Sequence, residues 1–397
     1  TVYSAVEAED LKRYAETFNQ DHPDIKINWV RDSTGVVTAK LLAEKNNPQA
    51  DVVWGLAATS LMLLKTEGML EPYAPKGVEA LDPKFVDSAS PPQWVGMDAW
   101  IAAICFNTAE AAKAGVAAPA SWKDLLKPEY KGMIVMPNPN SSGTGFLDVS
   151  SWLQIFGEAE GWKYMDALHE NIGAYTHSGS KPCKQAGAGE AVMGISFAFR
   201  GAKEKAGGAP VEVIIPSEGV GWDMEATAII AGTSKLEAAK TLVDWSISKK
   251  ANEMYNVGYA VVAYPGVAKP VDNYPPEAVT GMIKNDFEWA ANNRAASGWG
   301  VPAQRTVLML ATVALLKLAG LRWPWWMTWL LACAVVLAFD PWAMLQPGFW
   351  LSFVAVGVLF ATDTGAAGAN SASAGGRFIR LLREQGVWAL GDRPPTS

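Results

Sequence analysis

Basic residues, histidine and cysteine are scarce in this chain. Its 397 residues carry 33 Lys and Arg against 40 Asp and Glu, with three His and three Cys. The acid excess is unevenly spread. From Gly298 onward seven Lys/Arg face four Asp/Glu, a net +3, which leaves −10 for residues 1–297. An acidic front of that size argues against nucleic-acid binding through a basic surface for residues 1–294. Cys105, Cys183 and Cys333 form no CxxC and no Cys/His cluster, so no metal centre or cofactor is expected. Cys105, inside the apolar run WIAAICFN, reads as a small buried hydrophobe; the spacing leaves a Cys105–Cys183 disulfide open without favouring it. His22 and His169 sit in solvated helix ends, and only His177, beside a polar loop, is placed for a site. None lies near a nucleophile-elbow signature, so no catalytic residue is expected and the chain is read as a non-enzyme. The first residues lack a basic segment, an apolar core and a cleavage site, so an export signal is either unneeded or already removed.

What is present falls into two parts. Residues 1–294 alternate short β-branched runs with amphipathic segments, the pattern of an α/β protein. Strands are predicted at TVYSAV, IKINWVR, ADVVWGL, IAAICFN, GMIVMP, EAVMGISFAF, PVEVIIP and EATAIIAG. Helices are predicted at 8–23, 34–48, 236–255 and 276–294, with Asp10 placed to cap the first. After Arg294 three nearly uncharged apolar runs follow, at 306–320, 323–339 and 342–362. The third meets the roughly 20-residue length of a bilayer-spanning helix and the others approach it. Trp323, Trp325, Trp326, Trp329, Trp342 and Trp350 gather toward the run ends, as an interfacial belt would. Membrane association through 306–362 is therefore expected. Residues 364–397 read as a Gly/Ala/Ser linker and a tail with one short basic helix.

Two loops have the composition of an anion-binding helix start. One offers Ser33, Thr34 and Gly35; the other offers Ser141, Ser142, Gly143 and Thr144. Small hydroxyl residues and glycine leave backbone N–H groups accessible, and the helix dipole adds positive potential. For the first loop alone ordinary capping is the better account, whereas the uninterrupted SSGTG favours binding. A third loop holds Ser178, Gly179 and Ser180.

These phrases carry a resemblance. TVYSAVEAEDL, DSTGVVTAKLLAEK, ADVVWGLAATS, SWKDLLKPEYKGMIVMPNPNSSGTGF and YNVGYAVVAYPGV resemble the type II periplasmic binding proteins shared by ferric-ion and phosphonate binders. GMDAWIAAICFNT, GSKPCK and GVGWDMEATAII narrow the likeness to the 2-aminoethylphosphonate-binding subfamily. The resemblance implies a periplasmic receptor serving an ABC transporter permease. It also implies two lobes joined by strands near 94–107 and 211–231, with 1–95 and 228–294 in one lobe and 96–227 in the other. Where the iron branch has adjacent tyrosines, this chain has Phe197, Ala198 and Phe199, and it has Trp100 where that branch tends to carry arginine. Phenylalanine cannot ligate iron. A phosphonate zwitterion needs a pole for its amine, and Asp98, Asp223 and Glu225 are candidates, with Trp54, Trp100 or Trp222 as an aromatic wall. Each of these has a plain structural alternative, as do Tyr255 and Tyr259, which either close the cleft or pack. Other small anions, phosphate included, remain alternative ligands.

The phrases VPAQRTVLML and LAFDPWAMLQPGFWLSFVAVGVLFATD, within 298–363, resemble a different family, the bacterial competence proteins of the DNA-uptake channel. With only about three apolar runs they imply a fragment joined to a binding protein. An inner-membrane DNA-uptake component is the alternative from that class.

Overall fold

The computed structural model describes residues 1–296, with side chains to Arg294, and the isolated residues 327, 331 and 334. The chain divides into two compact units, Thr1–Trp299 and Gly300–Ser397, and every named strand and helix belongs to the first. Apart from those three isolated residues, the expected apolar runs and the tail lie outside the described residues, among which no helix is long and apolar enough to cross a membrane.

Ten strands form the sheet. They are β1 (Val2–Ser4), β2 (Trp29–Arg31), β3 (Val52–Ala57), β4 (Val95–Asn107), β5 (Ile134–Pro137), β6 (Ile172–Thr176), β7 (Met193–Phe197), β8 (Val211–Ile214), β9 (Trp222–Ile229) and β10 (Val261–Val262). Their main order is β2-β1-β3-β9-β4-β7-β5-β6, with β8 and β10 also on β4. β4 is the shared member. Its first part, Val95–Ile101, pairs with β9, and its second part, from Ala102, pairs with β7 and β8. Two half-sheets thus meet along one strand whose thirteen residues are all buried. β1 runs parallel to β2 and β3 in the first half, as β5 does to β6 and β7 in the second. Buried parallel strands need apolar side chains on both faces, which explains continuous runs such as VVWGLA.

The first half packs an aromatic core. Trp54 is fully buried among Tyr14, Phe18, Trp29 and Trp245, with ring centroids 5.4–6.3 Å from it. Its indole donates to the Tyr255 hydroxyl at 3.0 Å, which donates to the Ser246 carbonyl at 2.7 Å. In the second half Trp122, Trp152 and Tyr164 stack edge to face.

Several expectations need correction. β6 and β10 had no sequence signal strong enough to predict. The helix expected over 236–255 is two, Leu236–Ser246 and Lys249–Tyr255. That expected over 276–294 is Glu277–Thr280 and Phe287–Ala296, because the intervening chain leaves the helix to bridge Met282 to Val220. Asp10 stands at the N-cap of Leu11–Asp21 without capping it and pairs instead with Arg13 at 3.1 Å. Cys105 is buried as expected but bonded to Cys183, their Cα atoms 5.3 Å apart. β4 and the helix Lys181–Gly187 pack at the spacing a disulfide needs, which linear distance could not reveal.

Candidate functional site

In an open α/β sheet the carboxyl ends of parallel strands collect the helix N-termini and loops, and ligands bind there. Both half-sheets direct those ends at one cleft. Its walls include Ala5 and Glu7 after β1, Arg31, Ser33 and Thr34 at the end of β2, and Ser142, Gly143 and Thr144 after β5. Ser178 and Gly179 follow β6, Phe197 ends β7, and Trp100, Glu225 and Tyr259 complete the wall. The space between these walls, with the open solvent at its mouth, is about 520 Å³.

Two helices point their N-termini into it from opposite halves, Thr34–Ala43 and Gly143–Phe156. They meet closely. A Cβ on Gly143 would stand 2.5 Å from Thr34 Oγ1 and 2.9 Å from Thr34 Cβ. One on Gly179 would collide with Thr144 Oγ1. It is thus neighbouring atoms rather than backbone strain that favour glycine at both positions and let the loops approach this closely. The loops are also stitched to each other. Gly35 N–H donates to the Ser141 carbonyl at 3.0 Å, and Ser141 Oγ donates to the His177 carbonyl at 2.8 Å. His177 Nε2 lies 2.9 Å from Asp32 Oδ1, which also accepts from Ser33 N–H at 2.7 Å. That network holds the Asp32 carboxyl below its ordinary range, against the opposing effect of partial burial.

Among the expected anion-binding residues, Ser33, Thr34, Ser142, Gly143, Thr144 and Ser178 line this cleft. Gly35 and Ser141 adjoin it as the stitching pair. Ser142 also caps its helix, accepting from Gly145 N–H at 3.3 Å. Gly143 and Thr144 occupy the first turn, where N–H groups have no acceptor within the helix. Arg31, absent from the expected set, supplies a guanidinium; its Nε donates to the Val6 carbonyl at 2.9 Å, which orients it.

The candidates for the second pole separate. Trp100 and Glu225 line the cleft. Glu225 Oε1 accepts from the Tyr259 hydroxyl at 3.1 Å. Burial pushes its carboxyl up to about 8, opposed by the Tyr259 hydrogen bond and helped by Asp10 and Glu7. Glu7, also on the wall, pairs with buried Arg200 at 2.7 Å. The other candidates lie elsewhere. Trp54 and Tyr255 belong to the aromatic core, and Trp222 donates to the Ile283 carbonyl at 2.9 Å while packing edge-on against Phe287. Asp223 accepts from Thr59 Oγ1 at 2.7 Å, and Arg294 donates to the same hydroxyl at 2.6 Å. Burial raises the Asp223 carboxyl to about 6, with Thr59 opposing. It anchors a helix start, off the cleft. Asp98 is fully buried behind the wall.

A cleft with hydroxyls and helix N-termini at one end and carboxylates with aromatics at the other is built to hold a polar solute. Residues 47–287 match the family model of bacterial extracellular solute-binding proteins. This chain belongs to that family. Among relatives of this solute-binding protein, a probable ABC transporter periplasmic-binding protein of Sinorhizobium fredii is 31% identical over 252 residues, covering 62% of this chain and 68% of that one. A putative 2-aminoethylphosphonate-binding periplasmic protein of Salmonella paratyphi A is 22% identical over 276 residues, covering 68% and 78%. The solved periplasmic binding protein AfuA of Actinobacillus pleuropneumoniae, with fructose-6-phosphate bound, superposes with a TM-score of 0.70. It is 31% identical and covers 75% of this chain and 96% of its own. Residues 294–388 match a second family model, that of competence proteins. There the chain is 46% identical over 70 residues to a competence protein of Neisseria gonorrhoeae, 9% of that protein's length.

Proposed function

We propose that this solute-binding protein captures a small phosphonate, 2-aminoethylphosphonate, and delivers it to an ABC transporter permease. The observation that carries the reading is the pairing of two helix N-termini across the cleft, with Arg31 beside them and Glu225 with Trp100 opposite. Helix N-termini and hydroxyls stabilise a phosphonyl dianion. A carboxylate beside an indole face stabilises an ammonium. The lobes assigned to 1–95 with 228–294 and to 96–227 would close over the solute about β4 and β9. Among the described residues, every one that lines the cleft precedes Arg294.

A second reading is favoured by one observation, the fructose-6-phosphate in the AfuA structure. In that case the paired helix N-termini hold the phosphate, and Glu7 and Glu225 bond sugar hydroxyls.

Calorimetric titration of the full chain with 2-aminoethylphosphonate, ethylphosphonate, phosphate, fructose 6-phosphate and ferric citrate decides between them. Tightest binding of 2-aminoethylphosphonate is expected. Preference for fructose 6-phosphate establishes the second reading, and binding of ferric ion alone sinks both.

A further inference from the structure

Asp98 lies in β4 directly opposite Glu225 in β9, next to a register shift between Gly96 and Asp98. Opposed residues of an antiparallel pair place their Cβ atoms about 5 Å apart on one face of the sheet. Asp98 is 0% exposed, and neither carboxyl oxygen has a hydrogen-bond donor among the described residues. Glu225 is 9% exposed, and its Oε2 likewise has none, although Oε1 is held by Tyr259. Two buried carboxyls that face each other with orphaned oxygens cannot both ionise, and protonation of both in the free protein, one acid donating to the other, relieves the pair. Their surroundings offer little else. Asp10 and Tyr14 come from the first helix, Glu7 from the loop before it, Tyr255 and Tyr259 from the segment after Ser248, and Arg31 from the end of β2. Arg31 is the one cationic group among these neighbours and draws the Glu225 carboxyl down, while Asp10 and Glu7 push it up.

We propose that Asp98 is a positioning residue that stays protonated and donates to Glu225, so that a cationic ligand binds by expelling one proton from the pair. This rests on the amine-binding reading above. The step balances: the Glu225 carboxyl releases its proton to solvent, and the carboxylate that remains accepts from the ligand ammonium on one side and from the Asp98 acid on the other. Asp98 does not touch the ligand. Burial and the Glu225 charge both hold its carboxyl well above the usual range, consistent with that role.

The test uses the full chain, titrated with 2-aminoethylphosphonate and with ethylphosphonate, which lacks the amine, and every proton count and affinity is corrected for the ionisation of that ligand's own phosphonic acid. Titrations in buffers of different ionisation heat at pH 7 count released protons. The amine ligand should release about one more proton than ethylphosphonate. Between pH 6 and pH 8 its affinity should gain about fifty-fold relative to ethylphosphonate, the ratio set by a carboxyl that titrates at about 8. Asp98→Asn, which still donates and is uncharged, should retain both the affinity and the proton count. Asp98→Val should lose about tenfold for the amine ligand while keeping ethylphosphonate, which also reports that the variant is folded. Glu225→Gln should abolish the proton release and the pH dependence. If Asp98→Asn weakened the amine ligand tenfold or more, Asp98 would be an anionic contact and the positioning role would fall. Equal proton counts for both ligands would overturn the inference while leaving the phosphonate reading intact. Failure of both phosphonates to bind would overturn the two together.

Discussion

Gly143→Ala adds one methyl group where the helix starts Thr34–Ala43 and Gly143–Phe156 approach each other. That Cβ would stand 2.5 Å from Thr34 Oγ1 and 2.9 Å from Thr34 Cβ. Rotation about χ1 can swing the hydroxyl away but cannot move Cβ. A comfortable contact needs about 3.5–4.0 Å, so the helix starts must separate by about one ångström. N–H groups placed about 2.9 Å from a phosphonyl oxygen would then lie near 3.9 Å, outside hydrogen-bonding range. Losing one hydrogen bond to a charged group costs about 1.5–3 kcal/mol, which is roughly 10- to 150-fold in affinity. Every phosphonate and phosphate should suffer alike, since the common group is held there. The ligand-free protein should melt no earlier, because Gly143 opens a helix at ordinary backbone angles and the contact is relieved by opening. Calorimetry gives the affinity and thermal denaturation the stability. Wild-type affinity in a variant of unchanged stability would refute the idea that this close approach forms the anion pole.

Glu225→Gln should raise the melting temperature more at pH 8 than at pH 5. The folded carboxyl titrates at about 8 against an ordinary 4.5, so the folded state holds the extra proton in that window and wild-type stability falls as pH rises through it; a gap constant with pH would contradict this. Replacing Cys105 and Cys183 by serine opens a link spanning 78 residues and should cost about 4 kcal/mol, read from urea midpoints; an unchanged midpoint would show that the bond adds nothing. Asp223→Asn should weaken 2-aminoethylphosphonate and ethylphosphonate equally, because Asp223 meets Thr59 beside Arg294 and not the cleft; a loss confined to the amine ligand would return Asp223 to the second pole.

The strands were legible where β-branched residues are buried on both faces, as in β3 and β9. β6 was not, because IGAYT exposes its middle residues and carries glycine and alanine where a strand signal needs bulk. β10 is two residues long and exists only because β4 offers it a partner. At the candidate site, SSGTG stood out because five small residues in a row at a helix start exceed what one cap needs, although Ser142 does cap and Gly143 does pack against Thr34. Arg31 and Glu7 were not, since a charged residue at a strand end usually faces water; only the topology brings those ends together. Trp54, Trp100 and Trp222 looked interchangeable in sequence, yet one is core, one lines the cleft and one braces the Phe287 helix. Pairing register makes that distinction, and no local pattern encodes it. The Cys105–Cys183 bond was hidden for the same reason.

The pairing of β3 with β9 has a temporal consequence. Thr227 Oγ1 donates to the Val53 carbonyl across a sequence separation of 174 residues. A chain that emerges N-terminus first, from a ribosome or a translocation pore, therefore presents β3 with a bare edge until most of the first unit has followed. The intervening second half-sheet can pair within itself during that wait, but the first cannot be completed. Edges left open attract other chains, and such non-local pairing makes folding slow. Holding this stretch apart from its neighbours until residue 229 arrives is thus a demand that the fold places on whatever escorts the newly made chain.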